Sequence, residues 1–251
     1  MSIIELAPPL TAALDLHGKL KEQGFAVLSP QAVSDLSGVA IPELMNLNAF
    51  WNDLPPDQYL KDGGRYRRRR HGSFIVDLDV VTQHADRAHW QPLSYNALHG
   101  GMLRWFEPLD PAMTATDAWS KLLSFLGHVA SGLRGDQTWF VEAHPFRIDT
   151  TDGIGRPTPE GAHRDGVDLV AVFLIGRHGV KGGETRVFDV GSPFGQRFTL
   201  TEPWSVLLLD DARVIHETTP IQPQSELGWR DTLVITLRSG GFLDEPSKTS
   251  A

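Results

Sequence analysis

The chain predicts an α+β protein, mostly β, in which helices of the first half buttress a sandwich or jelly roll formed by the second. Three observations carry that prediction. Beyond residue 139, short apolar segments alternate with Gly and Pro turns at close spacing, as many-stranded antiparallel folds require. The first half holds two segments with apolar residues at helical spacing. A His-x-Asp pair at His163 and Asp165 is answered by His216, two or three predicted strands later.

In chain order, Leu10 to Gln23 reads as an amphipathic helix with Leu10, Ala13, Leu14, Leu16 and Leu20 along one side, stopped by Gly24. Phe25 to Leu28 reads as a strand. Residues 31 to 52 read as two helical pieces broken near Ile41-Pro42. Arg65 to Leu78 reads as extended. Asp117 to Gly132 is the strongest helix, its stripe made by Trp119, Leu122, Leu123, Leu126 and Val129. Seven strands are then expected: Trp139 to Ile148, Val167 to Ile175, Glu184 to Asp189, Gln196 to Leu200, Ser205 to Leu209, Arg213 to Thr218 and Arg230 to Leu237. Residues 1–251 read as a single domain, with helical support and substrate-side segments over 1–135 and the β-core with its metal site over 136–240.

The bulk properties narrow the function. Among 251 residues, 23 Lys and Arg against 31 Asp and Glu give a net charge of -8. That argues against a general nucleic-acid binder, which needs a basic surface for phosphates. The absence of cysteine excludes disulfides, cysteine zinc sites and thiol nucleophiles together. It also fits a reducing cytoplasm. Met1–Glu5 lacks the basic start and apolar run of a signal peptide, and no apolar stretch has the length of a membrane span. The expectation is a cytoplasmic protein that acts on a small molecule, without nucleic-acid or membrane partners.

His163, Asp165 and His216 carry the chemistry. A non-haem Fe(II) oxygenase needs two imidazoles and a carboxylate on one face of the metal, with the other positions open. On a strand, residues i and i+2 share a face, so His163 and Asp165 are expected together at the start of the apolar strand Leu169–Leu174. The plainer alternatives are a surface loop pair and a core histidine. Arg230 opens the last strong strand, and a buried arginine needs a partner. A dicarboxylate would serve, through a two-pronged contact; so would Asp231 or Glu226. The run Arg65-Tyr66-Arg67-Arg68-Arg69-Arg70 is either a solvated face or, if extended, one row directed into the cleft. Arg67 and Arg69 would then hold an acidic substrate or an amino acid's carboxylate. Arg147 is a further candidate for substrate contact.

These segments together resemble the Fe(II)/2-oxoglutarate-dependent dioxygenases. Within them, the chain is similar to the bacterial branch of free L-amino-acid hydroxylases such as isoleucine dioxygenase, which also contains the proteins called biofilm stress and motility A. The matching segments are His163-Arg164-Asp165, Gly182-Gly183-Glu184, His216-Glu217-Thr218-Thr219-Pro220 and Trp229 to Thr236, with His144-Pro145-Phe146-Arg147 and Gln91 to Asn96 upstream. They span most of residues 65 to 238. The resemblance implies a double-stranded β-helix of the cupin-like, jelly-roll kind. It implies Fe(II) on His163, Asp165 and His216, with 2-oxoglutarate anchored by Arg230. It further implies O₂-dependent hydroxylation of a small polar substrate, a free L-amino acid or a derivative, with release of succinate and CO₂. The alternative is a non-catalytic cupin-like metal or small-ligand sensor, which would not need a cosubstrate arginine. Halogenation requires the carboxylate ligand to be absent, and Asp165 is present.

Overall fold

In the computed structural model, residues 6–224 and 226–244 are described. Met1–Glu5, where a signal-peptide pattern is lacking, lies outside the described residues. A short 3₁₀ turn at Ala13–Asp15 leads into α1 (Leu16–Gln23), followed by β1 (Phe25–Leu28), α2 (Pro30–Ser37) and α3 (Ile41–Asn46). Then come β2 (Arg67–Arg69), β3 (Gly72–Asp77), β4 (Val80–Gln83), α4 (Pro111–Thr114) and α5 (Asp117–Arg134). The second half contributes β5 (Trp139–Asp149), β6 (Leu169–His178), β7 (Val180–Gly182), β8 (Thr185–Asp189) and β9 (Gly195–Phe198). It ends with β10 (Val206–Asp210), β11 (Val214–Thr218), β12 (Ile221–Pro223) and β13 (Trp229–Arg238).

The strands form a jelly-roll double-stranded β-helix. Its major sheet runs β1-β10-β6-β13-β5-β3-β4, with β2 also paired to β5. Neighbours are antiparallel, with Val234 at the centre opposite both His144 and Val172. A smaller sheet, β11-β8-β9, and the pair β12-β7 make the opposing layer. Strands from the first half therefore join the major sheet, which the pattern of helices alone does not reveal.

Side-chain alternation divides the major sheet into two chemically different faces. Ala143 of β5 and Leu233, Ile235 and Leu237 of β13 join one buried core with α5, through Trp119, Leu122 and Leu126. Each leucine or isoleucine among them removed from water contributes roughly 1.5–3 kcal/mol. Thr116 caps α5 by accepting from Trp119 N at 3.2 Å. The other face, with Glu142, His144 and Phe146 of β5 and Arg230, Thr232 and Val234 of β13, lines a cavity beneath the smaller sheet.

Two helical expectations change. The first helix begins at Leu16, because Leu10 pairs with Val27 as an isolated bridge and Thr11 N donates to Val27 O at 2.7 Å. Leu14 is fully exposed, so the apolar stripe reduces to Leu16 and Leu20. The break in the 31–52 region falls at Gly38, whose φ of 68° ends α2; Ile41 and Pro42 instead open α3. No helix among the described residues is long and apolar enough to cross a membrane.

Candidate metal and cosubstrate site

His163 and His216 meet through their backbones. His163 N donates to His216 O at 3.1 Å and His216 N donates to His163 O at 3.0 Å. Their ring centroids are 4.7 Å apart. Asp165 completes the group, with Oδ1 3.8 Å from His163 Nε2 and Oδ2 3.9 Å from His216 Nε2. One donor atom from each of the three residues lies within 4.8 Å of the others.

The route to this arrangement differs from the expectation. His163 forms a single-residue bridge and Asp165 lies in an irregular turn; β6 starts only at Leu169. Strand alternation therefore does not bring the pair together. Asp211 does, by accepting from the backbone N–H groups of Asp165 (3.0 Å), Gly166 (2.7 Å) and Val167 (3.1 Å). Those donors would otherwise serve a ladder. Gly166 has φ of 79°, and a Cβ there would collide with the Tyr95 ring, so glycine is required on both counts.

The donor set suits a divalent metal. His163 Nδ1 donates to Gly161 O at 2.9 Å, which places the Nε2 lone pair toward Asp165. Burial opposes the charged form of His163, but the carboxylates of Asp165 and Glu160 outweigh it and raise its pKa. Burial, and then the proximity of His163, holds His216 well below its ordinary value, so its ring is neutral. Its Nδ1 is buried without a hydrogen-bond partner. Two nitrogen donors and one carboxylate at one cavity wall are what a facial iron site uses.

Arg230 stands on the same cavity, held between Ile148 of β5 and Arg177 of β6 by backbone pairing. It is 4% exposed. Burial first, and then Arg177, holds its guanidinium down to about 10. Its Nη2 has no hydrogen-bond partner. The alternative partners are otherwise placed: Glu226 is exposed, and Asp231 accepts a two-pronged contact from Arg147 at 2.8 and 2.6 Å.

Arg147 accordingly does not reach the cavity. It has the opposite parity on β5 to His144, Phe146 and Ile148, and stacks over Trp229 at 4.7 Å. Arg67 and Arg69 do line the cavity, while Arg68 between them points out. Arg67 pairs with Asp57 at 2.7 Å, leaving Nη2 without a partner. Arg69 lies 3.8 Å from the centroid of Phe106 and 4.4 Å from that of Phe146, and its Nε has no partner. Arg65 and Arg70 make exposed pairs with Asp152 and Glu107.

Several cavity residues have no role that the sequence assigns, although Gln91 falls in a segment resembling the family. Arg104, Gln91 and Glu160 come from irregular segments, where no periodicity assigns a face. Glu142 lies on β5, but nothing in the sequence marks it as the hub of a buried cluster. It accepts from Arg87 (2.8 Å), His71 (3.0 Å) and His89 (3.2 Å), while Arg69 donates to His144 Nδ1 at 2.6 Å. His71, His89, Glu142 and His144 also fall within ligand distance of one another. Arg87 and Arg69 already occupy lone pairs of Glu142 and His144, and the His71 and His144 rings stack with 16° between planes rather than converging. The His163, Asp165 and His216 group is the better cradle for a dication.

The fold and this cavity define an oxygenase class, and direct comparison agrees. The family model described as 2OG-Fe dioxygenase matches residues 48–236, so the chain belongs to that family. Its members are oxidoreductases that use Fe(II), 2-oxoglutarate and O₂. Among solved structures, the chain is similar to a bsmA homolog from Methylobium petroleophilum PM1, with 53% identity and a TM-score of 0.90 over 95% of this chain and 97% of that one. IDO from Bacillus thuringiensis shares the fold at 17% identity and a TM-score of 0.73, over 93% of this chain and all of the other. A 2OG-Fe(II) oxygenase family protein from Burkholderia pseudomallei matches at 16% identity and 0.54, over 94% of this chain and 95% of that one. No curated protein matches the chain.

Proposed function

We propose that this dioxygenase hydroxylates a small polar substrate, a free L-amino acid or a derivative, with iron held by His163, Asp165 and His216. One observation carries the reading: a buried guanidinium, Arg230, shares a cavity with the three-donor face and makes no ion pair with a carboxylate among the described residues. A protein that only retained a metal would have no use for it. Arg230 would grip the far carboxylate of 2-oxoglutarate, which no metal holds. Bound iron with 2-oxoglutarate and O₂ supplies the oxidising power, as the cosubstrate is converted to succinate and CO₂ and one oxygen atom enters a substrate C–H bond.

The remaining work falls to side chains of this chain. Arg67 and Arg69 line the cavity, each with one buried N–H group that has no partner among the described residues, and would orient a substrate carboxylate. Phe106 and Phe146 hold Arg69 by cation–π contacts, which fixes its fork before substrate arrives. Ile148 and Phe146 of β5 stand between Arg67 and Arg69 on β2 and Arg230 and Thr232 on β13, and they make that part of the cavity wall apolar.

The test is succinate formation by Fe(II)-loaded protein with 2-oxoglutarate and a panel of free L-amino acids, with products weighed by mass spectrometry. The expected result is acceleration by a subset of the panel and a product heavier by one oxygen atom. Succinate release indifferent to every amino acid, with no oxygenated product, would overturn the substrate assignment.

A further inference from the structure

We infer that Gln91 is a positioning residue that holds Asp165 and ties it to Arg104, so that a side chain at the substrate end of the cavity helps to retain the metal at the other. The inference rests on the proposed iron site. Gln91 belongs to the loop closed by a backbone pair between His89 and Arg104, whose N–O distances are 2.9 and 3.0 Å. Its Nε2 donates to Asp165 Oδ1 at 3.2 Å. Its Oε1 accepts from Arg104 Nη2 at 3.0 Å and from Asn96 Nδ2 at 3.2 Å. An amide can be built either way round. Here the Arg104 guanidinium, which can only donate, fixes the oxygen on its own side and turns the N–H toward Asp165.

The consequences follow from that orientation. Asp165 Oδ1 is committed to Gln91, which leaves Oδ2 the freer donor for a metal. Arg104 is 2% exposed and its Nε is buried without a partner; it makes no ion pair among the described residues. Its charge polarises the Gln91 amide and strengthens the hydrogen bond to Asp165. Residues that orient a metal ligand typically affect metal affinity tenfold to a hundredfold.

Charge alone predicts the opposite sign for one of the two residues, and this makes the idea testable. Removing the Arg104 guanidinium takes a positive charge away from a dication, which by Coulomb's law strengthens metal binding. Through Gln91, its removal weakens it. Fe(II) affinity is measured anaerobically by calorimetry for the wild type, Gln91→Leu, Gln91→Met, Arg104→Met, Gln91→Leu/Arg104→Met and His99→Ala. His99 anchors the same loop elsewhere, accepting from Lys61 N at 3.4 Å, and reports what loosening the loop does by itself.

Both Gln91 variants should bind Fe(II) at least tenfold more weakly while the metal-free protein melts within a few degrees of wild type. Arg104→Met should weaken binding about two- to fivefold and add nothing in the Gln91→Leu background. His99→Ala should change affinity less than threefold. Stronger binding in Arg104→Met, an additive double variant, or an equal defect in His99→Ala would overturn the inference. Retention of Fe(II) by Asp165→Ala would instead refute the iron site itself, so the two failures are distinguishable.

Discussion

Replacing Arg230 by methionine should stabilise the metal-free protein and cripple its grip on 2-oxoglutarate. The guanidinium is held down to about 10 from an ordinary 12.5, equivalent to about 3 kcal/mol against the charged form. Methionine fills a similar volume without a charge. Exchanging a poorly paired buried charge for an apolar side chain typically gains about 1–3 kcal/mol. For a chain of this size that raises the melting point by roughly 3–8 °C. Two charge-assisted hydrogen bonds to a carboxylate, each about 1.5–3 kcal/mol, imply a loss of at least about a hundredfold in cosubstrate affinity. The assay is thermal melting, first of the metal-free protein, then of the anaerobic Fe(II) form with 2-oxoglutarate. At about a thousand times its dissociation constant, 2-oxoglutarate should stabilise the wild type by about 4 kcal/mol. Arg230→Met should gain less than half of that. A metal-free variant melting several degrees below wild type would mean that the guanidinium had a partner. An undiminished response to 2-oxoglutarate would mean that another residue anchors the cosubstrate.

Three further outcomes are expected. His163→Ala, Asp165→Ala and His216→Ala should each lose most anaerobic Fe(II) binding in calorimetric titration; near wild-type affinity in any one would remove that residue from the site. Arg147→Ala leaves the Asp231 carboxylate, 3% exposed, buried without its partner. It should therefore unfold about 3–5 kcal/mol more easily in denaturant, with an unchanged 2-oxoglutarate requirement; a shifted requirement would return Arg147 to the site. His89 is buried and its pKa is lowered to about 4. Between 6.5 and 4 the unfolded chain therefore binds more protons than the folded one, and the stability conferred by neutral His89 is present above pH 6.5 and lost as pH falls. From pH 8 to 5, metal-free wild type should lose about 2 kcal/mol more than His89→Gln, a comparison that cancels the titration of other groups; equal losses would show that His89 is protonated in the fold.

The β-core and the long helix α5 were legible from periodicity alone, because each buries one face against the other and so needs a regular apolar stripe. The sequence also marked His163, Asp165, His216 and Arg230, whose residue types and order match one chemistry. It misplaced His163 and Asp165 on a strand, since a two-residue spacing is equally compatible with a turn. Only tertiary structure shows Asp211, forty-six positions beyond Asp165, pulling that turn into shape. The shallow alternation of β5 and β13 was readable, but which parity faces the cavity was not. That choice separates Arg230, Arg67 and Arg69 from Arg147, and it is made by α5 covering the opposite face. Gln91 and His144 lie in segments that resemble the family, but nothing local assigns them a role, and Arg104, Glu160 and Glu142 carry no local signature. Their positions depend on loop closure and on buried charges finding partners far along the chain, and those are properties of the packed molecule rather than of any segment of it.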